Sequence, residues 1–219
     1  VVELVKDVDP ETVRANLEEI RQRIAAATPA GGQADAVEVV AATKYVPSHL
    51  LPALAEGGIT VAGENRFQDL AEKQESHGDL FVWDFIGDLQ SRKAPALVGK
   101  VRLIHSLGSV SALEKLERAE AAGQMVLVQV NIAEEESKSG IFPAELPRFV
   151  ESAGCNVVGL MTMPPLATNP EDSRRWFAAL RELGESHGLR QFSMGTSQDY
   201  EVAVSEGATM VRVGSSLWN

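Results

Sequence analysis

The sequence predicts a single α/β domain, a TIM-type (β/α)8 barrel with an additional N-terminal helix. Three observations carry this. Eight short apolar runs alternate with amphipathic segments. Most of the repeats are roughly 20–30 residues long, enough for right-handed crossovers between parallel strands. No Gly-x-Gly-x-x-Gly follows any run, so the usual mark of an open dinucleotide-binding sheet is missing, and the count of eight favours closure. The domain is expected to occupy 1–219, with the helix at about 10–27 and the barrel at about 37–216.

Asp9 is a plausible N-cap with Pro10 at the first helical position, and Val13, Leu17, Ile20 and Ile24 follow helical spacing. Pro29, Gly31 and Gly32 break that helix. Strand-like runs then fall near 37–44, 59–64, 80–87, 101–106, 124–132, 156–163, 191–195 and 209–214. Between them, Ser109 can cap a helix carrying Val110, Leu113 and Leu116 that stops at Gly123. Asn169-Pro170 can open one carrying Trp176, Leu180 and Leu183 that stops at Gly188. The sequence ends at Asn219, just after the eighth run, so the N-terminal helix is expected to cover the seam an eighth helix would have covered.

Twenty basic against thirty-one acidic residues give a net charge of −11, which argues against nucleic acid or an anionic membrane as partner. A small anionic ligand would need a local pocket of donors. The single cysteine, Cys155, excludes an internal disulfide framework, cannot alone anchor zinc, and points to a reducing cytoplasm. No apolar run approaches the ~20 residues of a membrane span, and the start lacks the basic-then-apolar order of a signal peptide. No cluster has metal-ligand spacing, so no metal is expected.

In such barrels the C-terminal ends of the strands form the active face. The first run, Val37-Glu38-Val39-Val40-Ala41-Ala42-Thr43-Lys44, is β-branched and delivers an amine at its tip. Taken alone, that lysine equally marks where the strand leaves the core. The second run delivers Asn65, and the fourth ends at His105, which reads as a packed, hydrogen-bonded histidine more than as a ligand-facing one. The seventh and eighth supply Ser193, Gly195, Ser197, Gly214 and Ser215. Small residues there let backbone N–H groups turn toward a phosphate, and two such loops side by side favour a phosphate site over simple tight turns. Arg212 stands between Val211 and Val213, so alternation turns it into the barrel, where it must meet either a ligand acceptor or a structural carboxylate.

A buried lysine opposite a phosphate cradle suits Schiff-base chemistry once desolvation or a nearby cation lowers its ordinary pKa of about 10.4. Two phosphorylated carbonyl compounds fit: pyridoxal 5′-phosphate, or the sugar-phosphate substrate of a lysine aldolase.

Ala42-Thr43-Lys44, Gly63-Glu64-Asn65, Phe85-Ile86-Gly87 with Leu89-Gln90, Asn131 through Ser137-Lys138-Ser139-Gly140-Ile141, Gly159-Leu160-Met161, Ser193-Met194-Gly195 and Val211-Arg212-Val213-Gly214 occur in that order. Together they resemble the pyridoxal phosphate homeostasis protein family, whose fold is similar to the barrel domain of alanine racemase. The resemblance implies that Lys44 holds pyridoxal phosphate as a Schiff base. It also implies that the Ser193–Gly195 and Gly214–Ser215 loops hold the phosphate, and that Asn65 and Arg212 lie near the cofactor, Arg212 at either the ring nitrogen or the phosphate. Asp84 stands where the family usually has histidine, Arg92 where asparagine is common, Gly108 where aspartate is common and Thr196 where methionine is frequent. These departures are expected to affect the rim of the site.

The family is regarded as binding and buffering the cofactor without established turnover, so a carrier that buffers pyridoxal phosphate or delivers it to apoenzymes is expected. A racemase of related fold draws a second base from a further domain, and the barrel is expected to consume all 219 residues. The alternatives are a single-domain racemase, with His105 the strand-tip base candidate, and the aldolase. A monomer is expected, because a closed barrel leaves no sheet edge in need of a partner.

Overall fold

The computed structural model describes residues 4–152 and 154–219. The first half of the chain runs α1 (Pro10–Ala27), β1 (Glu38–Ala42), α2 (Leu51–Glu56), β2 (Val61–Glu64), α3 (Phe67–His77), β3 (Val82–Phe85), α4 (Ala94–Leu97) and β4 (Leu103–Leu107). The second half runs α5 (Val110–Arg118), β5 (Met125–Gln129), α6 (Leu146–Val150), β6 (Asn156–Met161), α7 (Arg174–Ser186), β7 (Gln191–Thr196), α8 (Tyr200–Ser205) and β8 (Met210–Val213). The strands close in sequence order, all parallel, with β1 pairing to both β2 and β8. This is the (β/α)8 barrel that the alternation predicts.

Asp9 caps α1 by accepting from the Glu11 and Thr12 amides, and Pro10 follows it at the first helical position. Val13, Leu17, Ile20 and Ile24 are all buried, each worth about 1.5–3 kcal/mol of apolar burial. The helix packs against α8, α2 and the 3-10 turn Ser215–Leu217, beside the seam where β8 meets β1. Asn16 Nδ2 ties it to the carbonyls of Leu217 (3.3 Å) and Asn219 (3.2 Å).

Two helices differ from expectation. Ser109 does cap α5 through the Ala112 amide, but the helix ends at Arg118 because Glu120 takes a positive φ of 53° well before Gly123. In α7 the buried stripe is Phe177, Leu180 and Gly184; Trp176 stays half-buried beneath Arg175, 4.5 Å from its ring centre. The strands are shorter than the apolar runs because their tips leave the ladder to build the loops of the mouth. Thr43, for instance, keeps a bond to Gly63 O, and its own carbonyl then accepts from Val46 N to close a turn.

Alternation separates two apolar layers. Val211 and Val213 join the large outer core under the helices, whereas Val40, Val61, Leu103, Leu127, Met161 and Met210 form a separate cluster. Val40 is in register with Arg212, so the second cluster packs inside the barrel and shares that interior with inward-facing polar side chains.

Candidate functional site

The C-terminal mouth holds a cavity of about 740 Å3 lined by Lys44, Asn65, Ser197, Arg212, Gly214 and Ser215, six of the residues singled out from sequence. Ser193 and Gly195 do not line it. Ser193 is fully buried one layer deeper, and Gly195 packs under the start of α8. At φ +88°, with an added Cβ falling 2.6 Å from Ala203 Cβ and 2.8 Å from Tyr200 Cα, position 195 accepts only glycine.

Lys44 differs from the buried amine expected. The strand stops two residues earlier, and the turn carries Lys44 out over the mouth, where it is exposed with Nζ 4.6 Å from the centre of the Tyr45 ring. What is buried is its support. Lys73 on α3 donates to Thr43 O (2.9 Å) and pairs with the fully buried Glu64 of β2. Glu64 also accepts from Thr43 Oγ1 (2.6 Å) and from the Asn65 amide (3.2 Å). The tips of β1 and β2 are thereby locked together beneath Lys44 and Asn65. Asn65 leaves its Oδ1 buried without a hydrogen-bond partner. Gly87 keeps the next loop against it, since a Cβ there would fall 2.0 Å from Asn65 O.

The loops after β7 and β8 stand side by side, with Gly214 N donating to Ser197 Oγ at 3.2 Å. Thr196 N and Oγ1 both donate to the Asp199 carboxylate, at 2.7 and 3.1 Å, which fixes the first loop. The amides of Ser197, Gln198, Ser215 and Ser216 have no acceptor among the described residues. A Cβ on Gly214 would meet nothing closer than Ala42 Cβ at 3.9 Å, so the glycine leaves cavity space that a side chain would fill. Uncommitted amides around such a concavity suit an anion.

Arg212 points into the barrel, as alternation requires, and its acceptors are neither of the two expected kinds. It donates through Nη1 to Ser193 O (2.9 Å) and Ser193 Oγ, and through Nη2 to Thr162 O (3.0 Å) and Met163 Sδ (2.9 Å). No carboxylate lies within ion-pair distance among the described residues; burial pulls the guanidinium down to about 10, against the weaker influence of Asp199. It remains a cation at neutral pH, and its Nε–H is the one donor without an acceptor among the described residues.

Sequence reasoning missed several lining residues. Tyr45, Ile86, Met163, Gln198 and Trp218 share the cavity with Thr196, the one departure expected at the rim that lines it, and Val5 N donates to Tyr45 O (2.9 Å), bringing the N-terminal segment to its edge. Val5 carries no motif, so nothing local pointed there. Of the departures placed on the rim, Asp84 is a correction: it is fully buried inside the barrel, because its position on β3 alternates inward. Arg92 is exposed beside Asn65, and Gly108 sits 3.1 Å (as a Cβ) from Gly140 Cα, too close for an aspartate without movement. Among the described residues no group of three or more His, Cys, Asp or Glu side chains could hold a metal, and no helix is long and apolar enough to cross a membrane.

Residues 8–219 match the family model of the alanine racemase N-terminal domain. A pyridoxal phosphate homeostasis protein of Aquifex aeolicus is 38% identical over 217 residues, covering 92% of this chain and 95% of the relative. PipY of Synechococcus elongatus PCC7942, solved with pyridoxal phosphate bound, superposes with a TM-score of 0.79 at 29% identity, covering 94% of this chain and all of that one. Alanine racemase of Corynebacterium glutamicum shares the fold at 15% identity, with a TM-score of 0.74 over 99% of this chain and 63% of its own. With its barrel closed in sequence order and its lysine, asparagine, arginine and small-residue loops gathered at one mouth, the chain belongs to the pyridoxal phosphate homeostasis family within the alanine racemase N-terminal domain fold.

Proposed function

We propose that this protein binds pyridoxal 5′-phosphate and buffers or delivers it to apoenzymes, without turnover of its own. The observation that carries the reading is the convergence on one cavity of an exposed lysine amine, an arginine with one spare donor, and the uncommitted backbone amides of Ser197, Gln198 and Ser215. The residues present fit the cofactor. Lys44 would hold its aldehyde carbon as a Schiff base, the loops at Ser197 and Gly214–Ser215 would receive the phosphate, and Asn65, whose Oδ1 is buried without a protein partner, would lie beside the cofactor on the same cavity wall. Ser193 and Gly195 would act from beneath, Ser193 by holding Arg212 and Gly195 by shaping the β7 loop.

Arg212 fits the ring nitrogen better than the phosphate, since four of its five N–H groups are committed and one donor matches one acceptor. A permanent cation there disfavours protonation of that nitrogen, and so weakens the ring as an electron sink. That supports a carrier over an enzyme. His105, the base candidate for a racemase, is fully buried and bonded to Asp84 and Ser193, away from the cavity lining. The single cysteine supports a reducing, cytoplasmic compartment, and the closed barrel supports a monomer.

The test is borohydride reduction of the full chain with pyridoxal phosphate, followed by mass mapping. A pyridoxyl adduct on Lys44, lost in Lys44→Ala, is expected; an adduct on another lysine instead would overturn the assignment. Racemisation of an amino acid well above the rate of free cofactor would overturn the absence of turnover.

A further inference from the structure

The barrel axis carries a polar chain that cofactor holding does not by itself explain. At the N-terminal mouth, Glu38 takes two hydrogen bonds from the Arg102 guanidinium, at 2.7 and 2.6 Å. Arg102 also donates to both oxygens of Asp84, through Nε at 2.9 Å and through Nη2. Asp84 Oδ2 lies 3.1 Å from His105 Nε2, and His105 Nδ1 lies 2.9 Å from Ser193 Oγ, which also receives Arg212 Nη1. Asp84, His105 and Ser193 have no solvent exposure. Six side chains from β1, the start of β4, β3, β4, β7 and β8 thus span the barrel from one mouth to the other.

The protons in this chain have one consistent arrangement. An arginine only donates, so Ser193 Oγ accepts from Arg212, and its own proton is free to go to His105 Nδ1. Asp84, clamped by Arg102, only accepts, so His105 Nε2 carries the proton between them. A second proton on Nδ1 would place a cation one hydrogen bond from Arg212 and leave the Ser193 proton without an acceptor. The groups facing the ring are Asp84, Ser193, Arg212 and Arg102; burial and the two arginines hold the imidazole below its ordinary range, against the opposing pull of Asp84.

We propose that His105 is a positioning residue: an imidazole kept neutral and protonated on Nε2 by Asp84, which through Ser193 fixes the Arg212 guanidinium toward the cofactor cavity. The tautomer is set from the far mouth of the barrel by Glu38 and Arg102. A neutral acceptor at Nδ1 orients the serine hydroxyl, and the oriented serine leaves its lone pair to the arginine. The inference rests on the reading that Arg212 meets the cofactor, but the proton arrangement is testable without it.

The experiment is long-range 1H–15N NMR of histidine-labelled full-length protein, with and without pyridoxal phosphate, His105 being assigned by its loss in His105→Gln. The expected spectrum has Nδ1 unprotonated and Nε2 protonated, unchanged from about pH 5.5 to 8.5. An Nδ1–H tautomer, or titration near the ordinary value of about 6.5, would overturn the proposal. As the coupling test, Ser193→Ala and Asp84→Asn are expected to weaken pyridoxal phosphate binding at least about tenfold, the scale of one hydrogen bond to a charged group. They are also expected to shift the visible band of the bound cofactor. If both variants bind and absorb as the parent while Lys44 still forms the adduct, the positioning role falls and the cofactor reading stands. If the parent protein takes up no pyridoxal phosphate, the cofactor reading falls, and the tautomer measurement still decides the proton arrangement.

Discussion

Replacing Lys73 by methionine removes the cation beneath the β1 tip while keeping most of the side-chain volume. Glu64 is fully buried and Lys73 nearly so, with 7% of its side chain exposed. In Lys73→Met the Glu64 carboxylate would keep only Thr43 Oγ1 and the Asn65 amide, and Thr43 O would lose its 2.9 Å donor. Breaking a buried pair by removing one partner costs about 3–5 kcal/mol, because the other charge stays behind uncompensated. That is a large share of the roughly 5–15 kcal/mol by which a domain is stable. Removing the stranded charge as well, in Lys73→Met/Glu64→Gln, is expected to recover about 2 kcal/mol or more, since the amide still accepts from Thr43 without an ion's desolvation. Urea unfolding followed by far-UV circular dichroism, at constant slope, measures each corner of the cycle. A single variant that loses less than about 1 kcal/mol, or a double variant no better than the single, would refute the ion-pair argument.

Three further outcomes follow from the geometry. Ser215→Asp puts a like charge into the phosphate cradle at an exposed position. It should weaken pyridoxal phosphate uptake by about tenfold or more in a fluorescence titration while moving the unfolding free energy by no more than about 0.5 kcal/mol. His105 is held below its ordinary value in the folded state, so below about pH 6.5 the unfolded chain binds a proton that the folded one does not. Its contribution is therefore full above that pH and is lost as pH falls toward the lower folded value, by up to about 1.4 kcal/mol per pH unit. Urea curves at pH 7.5 and 5.5 should show a loss that shrinks in His105→Gln. Burial, with Glu117 nearby, pushes the Cys155 thiol up to about 11, so iodoacetamide at pH 8 should label it only after unfolding, by intact mass.

How much was legible depends on whether a signal is periodic. The alternation of apolar runs with amphipathic segments is local, and it identified eight strands, their order, and α1 by its cap and stripe. Alternation also turned Arg212 inward, because Val211 and Val213 had to face the outer core. The placement of Trp176 failed where two aromatic residues are adjacent: one step around a helix is about 100°, and Phe177 takes the inward position.

By itself, then, the sequence determined the closed barrel, the face on which the cavity opens, and the lysine, arginine and small-residue loops that meet there. Only the tertiary structure decided how they are held. Lys44 is exposed on a turn supported by Lys73 and Glu64, Ser193 lies buried beneath the cavity bonded to Arg212, and Asp84 belongs to the barrel axis. These pairings join residues as far apart as Glu38 and Arg102, or His105 and Ser193. They depend on strand register and on the irregularities in β4 and β7, which re-aim single side chains across a closed barrel and leave no trace in local spacing.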